Sequence, residues 1–578
     1  MTEPGGGPTG EPGGIDIELD PYEDPSPDRT AGPEPAPSER RPSIVRSSAV
    51  MASGTAASRI TGLIRVGALS FALGRTALSD AFNLANVAPN LIYELALGGV
   101  LSASLVPLFA ATNEAGADGT ADDDGRSAII SVGFVALTAL SVVAVLGATA
   151  LGGPLSRLLA ATTGADDHVR RTTVTVLTQL ALPQILLYGI TTFCSALLNA
   201  RRRFAAAAYV PALNNVVSSL AFVLVGWRIG GDRTLTSLGQ SDTAMLIMLG
   251  LGSTLGVLAM TFALFPAVRD AEPSLRWQFQ PRHPAVRKLV RLSGWTVGYV
   301  IANQVALVVV YSVASRSMTG TLTAYTTAFI FFQLPHGLFA VSLMTTTMPE
   351  LAEAARRHDG GLFQHRWLQG LRLIWLVIIP STVGYLLVAR PLMSILLVRG
   401  RFLNIDAEIT GRTLMAFAVG LPGFSIYLYA LRAFYSRQDT RTPFLINLVE
   451  NLLNIVFVLS FGRSSPAMLA LAFSMAYLVA AVLAVWRLSE RLGGLGTEVV
   501  PTLQMMGQVL GAAAAMAVLV GVSQLLVGSD QGSGAAVRVV SSVLIGTAAF
   551  GAAVTFLKIE GTDRLVETVR RTTTRSRR

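Results

Sequence analysis

Polar side chains interrupt two long apolar stretches at helical spacing. Asp80, Asn83, Asn86, Asn90 and Glu94 follow one another at intervals of three and four, which on a helix lays them along one stripe. A stripe of that kind facing hydrocarbon would be costly, so it faces protein or a wet cavity. The preceding apolar run adds Arg59 and Arg65. A cation at membrane depth needs an anion beside it. Asp80 or Glu94 can supply one internally; so can a ligand phosphate, whose oxygens match the guanidinium fork in shape and charge. Spacing alone leaves both open. A second face carries Asn447, Glu450, Asn451 and Asn454, and an earlier run offers Asn303 and Gln304. A carboxylate among amide oxygens suits a hard cation such as sodium, or takes up a proton. Hydrogen bonding between helices is the plainer alternative.

Other chemistry has no residues to carry it. Gly-Lys occurs nowhere, so there is no phosphate-binding loop with its lysine. The histidines at 168, 283, 336, 358 and 365 show no metal-ligand spacing, and no Ser-His-Asp layout or Gly-x-Ser-x-Gly turn stands out. The single cysteine, Cys194, cannot form an internal bridge. We therefore expect a transporter rather than an enzyme, without a cofactor. A sodium or proton gradient, the membrane potential or the substrate gradient would drive it.

The elements that must position these residues are membrane helices. Of 578 residues 51% are apolar and only 14% are Asp, Glu, Lys or Arg, against about a quarter charged in a soluble domain. The apolar residues gather in runs of roughly 20, the length that crosses a bilayer core as helix. Such a chain is neither a soluble enzyme nor a secreted disulfide-stapled protein. Its net charge of +9 needs no nucleic acid to explain it, since basic residues collect in cytoplasmic loops. The runs predict fourteen spans, near 48–74, 79–110, 127–151, 171–199, 207–227, 243–267, 288–314, 321–350, 367–389, 409–435, 443–461, 467–486, 503–527 and 536–557. With the N-terminus inside, 28 Lys and Arg near membrane ends fall on the inner side and 12 on the outer. That bias places both termini in the cytoplasm. Residues 1–45 hold ten prolines, seven glycines and ten acidic side chains. They cannot bury enough apolar area to offset ordering entropy and read as a disordered cytoplasmic tail, solvated or docking a cytoplasmic partner.

The spans also repeat. Asn199, Arg203, Pro211 and Asn214 punctuate one turn; Tyr435, Arg437, Pro443 and Asn447 punctuate another. Pro89 and Pro107 similarly correspond to Pro335 and Pro349. The offset is six helices, an even number, so the copies share one orientation. We thus expect an all-α membrane protein of two six-helix lobes related by a parallel repeat. The lobes are 46–267 and 268–489, followed by two helices in 490–557 and a basic cytoplasmic tail at 558–578. Two such lobes enclose a central cavity suited to alternating access.

Specific strings match a known family. Ser58-Arg59-Ile60-Thr61-Gly62-Leu63-Ile64-Arg65, Ser79-Asp80-Ala81-Phe82 and Pro89-Asn90-Leu91 resemble the opening of the MurJ (MviN) lipid II flippases. Phe434-Tyr435-Ser436-Arg437-Gln438-Asp439-Thr440-Arg441-Thr442-Pro443 resembles that family's turn between its tenth and eleventh helices, and Gly400-Arg401-Phe402 its segment before the tenth. Tyr93-Glu94-Leu95 with Gly98-Gly99-Val100 looks like actinobacterial members. Where the family has Asp-Arg in the eighth helix, this chain has uncharged Ala328-Phe329-Ile330-Phe331. The resemblance implies that the chain flips undecaprenyl-pyrophosphoryl disaccharide-pentapeptide to the outer leaflet of the bacterial plasma membrane for cell-wall synthesis. It assigns cavity roles to Arg59, Arg65 and Asp80. With the stripe, the substrate-facing set becomes Arg59, Arg65, Asp80, Asn83, Asn90 and Glu94. The cation-coupling set is Asn303, Gln304, Asn447, Glu450 and Asn451. Partners would be lipid II, membrane lipids and cytoplasmic cell-wall regulators. Export of another lipid-linked polysaccharide or an amphipathic cation, or a cell-wall scaffold without transport, are the competing readings.

Overall fold

In lipid every backbone N–H and C=O must bond within the chain, which long apolar runs achieve as helices. The computed structural model describes residues 44–87, 89–90, parts of 127–146, 166–201, 203–230, 242–271, 278–494, 496–526 and 532–559. Among these, twelve helices are long and apolar enough to cross a membrane. They coincide with twelve of the expected spans. The other two, 79–110 and 127–151, fall largely outside the described residues, as do Glu94 and both tails.

The first lobe comprises α1 (Ile44–Leu73), α2 (Ala77–Ala85), α3 (Asp166–Ala181), α4 (Gln184–Ala200), α5 (Phe204–Ile229) and α6 (Thr243–Ala271). The 171–199 span is thus two helices, broken at Leu182-Pro183, because proline cannot donate to the preceding turn. The second lobe contains α7 (Pro284–Ser315) and α8 (Thr321–Pro335). A π-helical turn (His336–Ala340) separates α8 from α9 (Val341–Arg356). It continues through α10 (Gly360–Leu397), α11 (Asn404–Ser436), α12 (Arg441–Phe461) and α13 (Pro466–Arg491). Helices α14 (Val499–Leu526) and α15 (Gly532–Phe556) form a final hairpin against α10. Met505, Val509, Ala512 and Val554 there bury against Leu376 and Ile379.

Helix starts follow local chemistry. Asp359 accepts from Leu362 N at 2.9 Å, and Ser465 accepts from Met468 N with Pro466 at the first helical position. The second lobe's core is aromatic. Phe332 and Phe417 stack at 5.3 Å, and Phe473 meets both edge-on. Leu220, Leu452, Val482 and Leu544 are exposed, the side chains that lipid would cover.

Candidate functional site

At the end of the bundle where α1 finishes, four turns from the two lobes interlock. Arg75 donates through Nε to Asp406 Oδ1 at 2.9 Å and through Nη1 to the Thr319 carbonyl at 2.6 Å. Arg401 donates its backbone N–H to Phe71 O at 3.3 Å and its Nη2 to Gly230 O at 3.2 Å. Arg170 donates to Ser315 O at 2.8 Å. Asp80 sits at the centre. Its carboxylate accepts from Gly320 N at 2.7 Å, Thr323 N at 2.9 Å and Thr323 Oγ1 at 2.7 Å. A carboxylate at the positive end of α8 caps orphan N–H groups and meets the helix dipole favourably. Gly320 is required there: its φ is +79°, and a Cβ would collide with the Arg75 side chain.

Beneath this closed end lies a cavity of about 520 Å³ between the lobes. Polar side chains line it: Ser58, Arg65, Asn83, Asn86, Asn90, Gln184, Tyr188, Asn214, Asn215, Gln304, Gln333 and several threonines. Many are fixed by their neighbours. Asn215 Nδ2 donates to Ser58 O and Thr61 Oγ1 at 3.1 and 3.2 Å, and Gln184 Nε2 donates to Thr254 Oγ1 at 2.9 Å. Asn83 donates to Ser79 O at 3.0 Å and to Thr323 Oγ1 at 3.3 Å, joining the cavity wall to the closed end. Among the described lining residues Arg65 is the one charged side chain. Its Nε is buried without a hydrogen-bond partner, and the Tyr188 phenol lies within its electrostatic reach.

The predicted substrate-facing residues therefore separate. Arg65, Asn83 and Asn90 line the cavity. Asp80 lies above it as a helix cap between lobes, and neither arginine forms an ion pair with it. Arg59 packs outside the cavity wall against the π turn. A Cβ placed on Gly337 would lie 2.9 Å from Arg59 Nη2. Glu94 lies outside the described residues.

The second predicted set is partly assembled. Asn303 Oδ1 accepts from Asn447 Nδ2 and Asn451 Nδ2, both at 2.9 Å, tying α7 to α12. Gln304, the next residue, instead points into the cavity. Glu450 is 1% exposed, and no described basic side chain pairs with it. Glu450 Oε2, Asn447 Oδ1 and Asn454 Oδ1 are buried without donors. Phenols of Tyr299, Tyr325, Tyr427 and Tyr477 lie within its electrostatic reach. Orphan acceptors of this kind are expensive in a low-dielectric interior. A proton on Glu450 or a hard monovalent cation fits the donor set. The tyrosines were not singled out in the sequence, because nothing marks them until α7, α8, α11 and α13 converge.

One further feature had no sequence signal. A groove of about 650 Å³ runs between α10, α14 and α15 to Phe339 of the π turn. Leu376, Pro380, Gly384, Leu387, Val520, Val543 and Phe550 line it, with no charged residue.

Comparison with known proteins gives consistent matches. The family model for "Lipid II flippase MurJ" matches residues 69–537. A probable lipid II flippase of Vibrio cholerae is 26% identical over 427 residues, 72% of this chain and 78% of that protein. A lipid II flippase of Burkholderia cenocepacia is 28% identical over 422 residues, 71% of this chain and 77% of that protein. The solved structure of a lipid II flippase in an inward closed conformation superimposes with a TM-score of 0.70 at 20% identity, covering 88% of this chain and 98% of that one. An inward-facing multidrug transporter of the MATE family gives 0.63 at 12% identity, covering 76% and 95%. These structural matches establish the shared fold.

Proposed function

This chain belongs to the MurJ family of lipid II flippases, and from that membership we propose how its residues divide the work of moving the lipid. It is a multi-pass membrane transporter of lipid II, not a member of an enzyme family. We orient the closed end outward, with both termini in the cytoplasm, because 28 of the membrane-flanking Lys and Arg then fall inside and 12 outside. In this orientation the bonds of Arg75, Asp80, Arg170 and Arg401 form an outer gate, and the cavity serves an inward state.

The observation that carries the substrate reading is Arg65. A guanidinium with an unpartnered Nε, in a cavity without a described carboxylate, favours an anionic ligand. The diphosphate of lipid II supplies one, and the asparagines and glutamines around Arg65 suit its sugars. A cation exporter would gain nothing from the Arg65 guanidinium in that cavity. A prenyl chain would be unfavourable in that polar space; the uncharged groove along α10, α14 and α15 offers it apolar surface. Transfer then requires Asp80 to release the α8 N-terminus so that the outer end can part.

For coupling, Glu450 with Asn447 and Asn454 would hold the proton or sodium ion, which supplies the positive charge that a buried carboxylate lacks. Asn303, bonded to Asn447 and Asn451, links that charge state to the packing of α7 on α12. The direct test is to express this chain in a bacterium whose own flippase can be shut off. Growth should be restored, and lipid II should become reachable by an impermeant reagent at the outer leaflet. Growth without outward lipid II would remove transport from the account.

A further inference from the structure

Helices α8 and α9 run as one rod from Thr321 to Arg356, but the backbone bonding changes in its middle. His336 N donates to Gln333 O, three residues back. Val341 N donates to His336 O, five residues back. Between them Pro335 has no N–H, so the Phe331 carbonyl loses the partner that helical geometry would give it. Tyr385 of α10 supplies a substitute: its hydroxyl donates to Phe331 O at 2.6 Å. A carbonyl freed at membrane depth needs such a donor from a neighbouring helix. We propose that Pro335 and the π turn after it form a hinge inside the second lobe, and that the Tyr385 hydroxyl is the catch that holds the hinge in its present bend. This rests on the gating reading above, in which the α8 N-terminus must leave Asp80 for the outer end to part.

The rod's two halves have different surroundings. Before Pro335, α8 brings Thr323, Thr326, Phe329, Ile330 and Gln333 to the cavity wall, and Asp80 of the first lobe grips its first turn. Among the described lining residues, α9 contributes none to that wall. It packs on α10 instead, with Leu351 and Ala354 fully buried. The pivot is held from two sides. His336 Nδ1 lies 3.0 Å from Ser425 Oγ of α11, and its ring meets Phe424 edge-on at 4.8 Å. On the other side Gly337 lets α1 close in, since a Cβ there would stand 2.9 Å from Arg59 Nη2. Long helices bend sharply at proline and at π turns, where the backbone ladder is already interrupted. From Gly320 to Gly337 the rod measures about 25 Å, so a tilt of about 15° at the pivot moves the gripped end by about 6 Å. The Phe331 carbonyl tilts with α8, while Tyr385 stays on α10. Their bond is therefore made in the closed arrangement and lost on opening, and a contact made in one state alone biases the equilibrium toward that state.

Double electron–electron resonance on the full chain in nanodiscs separates a hinge from a lobe that turns as a rigid body. One label pair stays within the second lobe, at Met318→Cys before α8 and Leu396→Cys at the outer end of α10, both exposed. The other pair, Arg228→Cys with Met318→Cys, spans the lobes. Both are placed in a Cys194→Ala background, with and without Asp80→Ala. With Asp80→Ala, both pairs should gain a new distance population. Tyr385→Phe keeps the ring and its packing; it should raise the open-to-closed ratio about tenfold, as expected for one lost hydrogen bond to a buried carbonyl. Pro335→Ala, which restores an N–H to Phe331 O, should lower the ratio. If the pair across the lobes lengthens while the pair within the second lobe keeps its single distance, the lobe is rigid, the hinge is wrong and the gate stands. If both gain the new population but neither Tyr385→Phe nor Pro335→Ala alters its share, the bend lies elsewhere in α8 and the catch is wrong. If neither pair changes, the gating reading fails and the hinge falls with it.

Discussion

Replacing Asp80 by alanine should open the outer end of the bundle. The carboxylate accepts three hydrogen bonds, at 2.7, 2.9 and 2.7 Å, from two backbone N–H groups and one hydroxyl of the facing lobe. A hydrogen bond to a charged group is worth about 1.5–3 kcal/mol, and loss of an N-cap about 0.5–2 kcal/mol. The three share one acceptor and are not additive, so the closed arrangement should lose about 2–4 kcal/mol in total. At 1.4 kcal/mol per factor of ten, that shifts the equilibrium toward opening by roughly 30-fold to several hundred-fold. A closed state populated 99 to 1 would then fall to roughly three to one at the lower figure and become mostly open at the higher. Spin labels at Arg228→Cys and Met318→Cys, in a Cys194→Ala background, report the separation because each residue is exposed on one lobe at this end. Asp80→Ala should add a longer distance population, and Asp80→Asn, which keeps one acceptor oxygen, a smaller one. An unchanged distance distribution in a stably folded Asp80→Ala protein would refute the assignment of this carboxylate as the latch.

Three other outcomes follow from separate parts of the molecule. Glu450→Gln removes a buried charge at constant shape; the thermal midpoint of the parent should rise with sodium or fall with rising pH, and the variant should lose that dependence. Retention of both responses would return Glu450 to a structural role. Gly384 faces open space in the apolar groove, so Gly384→Phe should fold normally yet fail to complement; full complementation would take the prenyl chain out of that groove. Arg372 bonds Thr502 Oγ1 at 2.9 Å and Glu498 Oε2 at 2.8 Å, anchoring the final hairpin to α10. Its replacement by methionine should destabilise the hairpin by about 1–2 kcal/mol, read as earlier proteolysis between α13 and α14, and an unaltered digestion pattern would count against the anchor.

What the sequence disclosed depended on contrast with its surroundings. Arg65 and the asparagine stripe stand out because lipid-facing positions exclude them, and the cavity receives Arg65, Asn83 and Asn90. Asn447 and Asn451 on one helical face met Asn303 as helical spacing allowed. Asp80 was legible as buried and polar, but its role was not. Its partners Gly320 and Thr323 lie 240 and 243 residues away, and no local pattern marks a helix N-terminus as a carboxylate's target. The groove was invisible because Leu376 or Val520 facing it has the same character as a leucine facing lipid. The break at Pro183 and the π turn after Pro335 are local backbone events inside runs whose hydropathy never changes.

The central claim is that Arg65 holds the substrate's anionic headgroup in the cavity between the lobes. It is tested most directly by Arg65→Ala and Arg65→Lys in a strain whose own flippase is depleted, scoring outer-leaflet lipid II and the amount of protein in the membrane. Removing a cation that would otherwise remain buried without a described carboxylate should not unfold the chain. We expect Arg65→Ala at parental abundance with lipid II held in the inner leaflet. Arg65→Lys should restore transport only in part, because an ammonium lacks the planar two-donor fork. Full transport by Arg65→Ala, or failure traced wholly to loss of the protein from the membrane, would contradict the claim and place the diphosphate elsewhere.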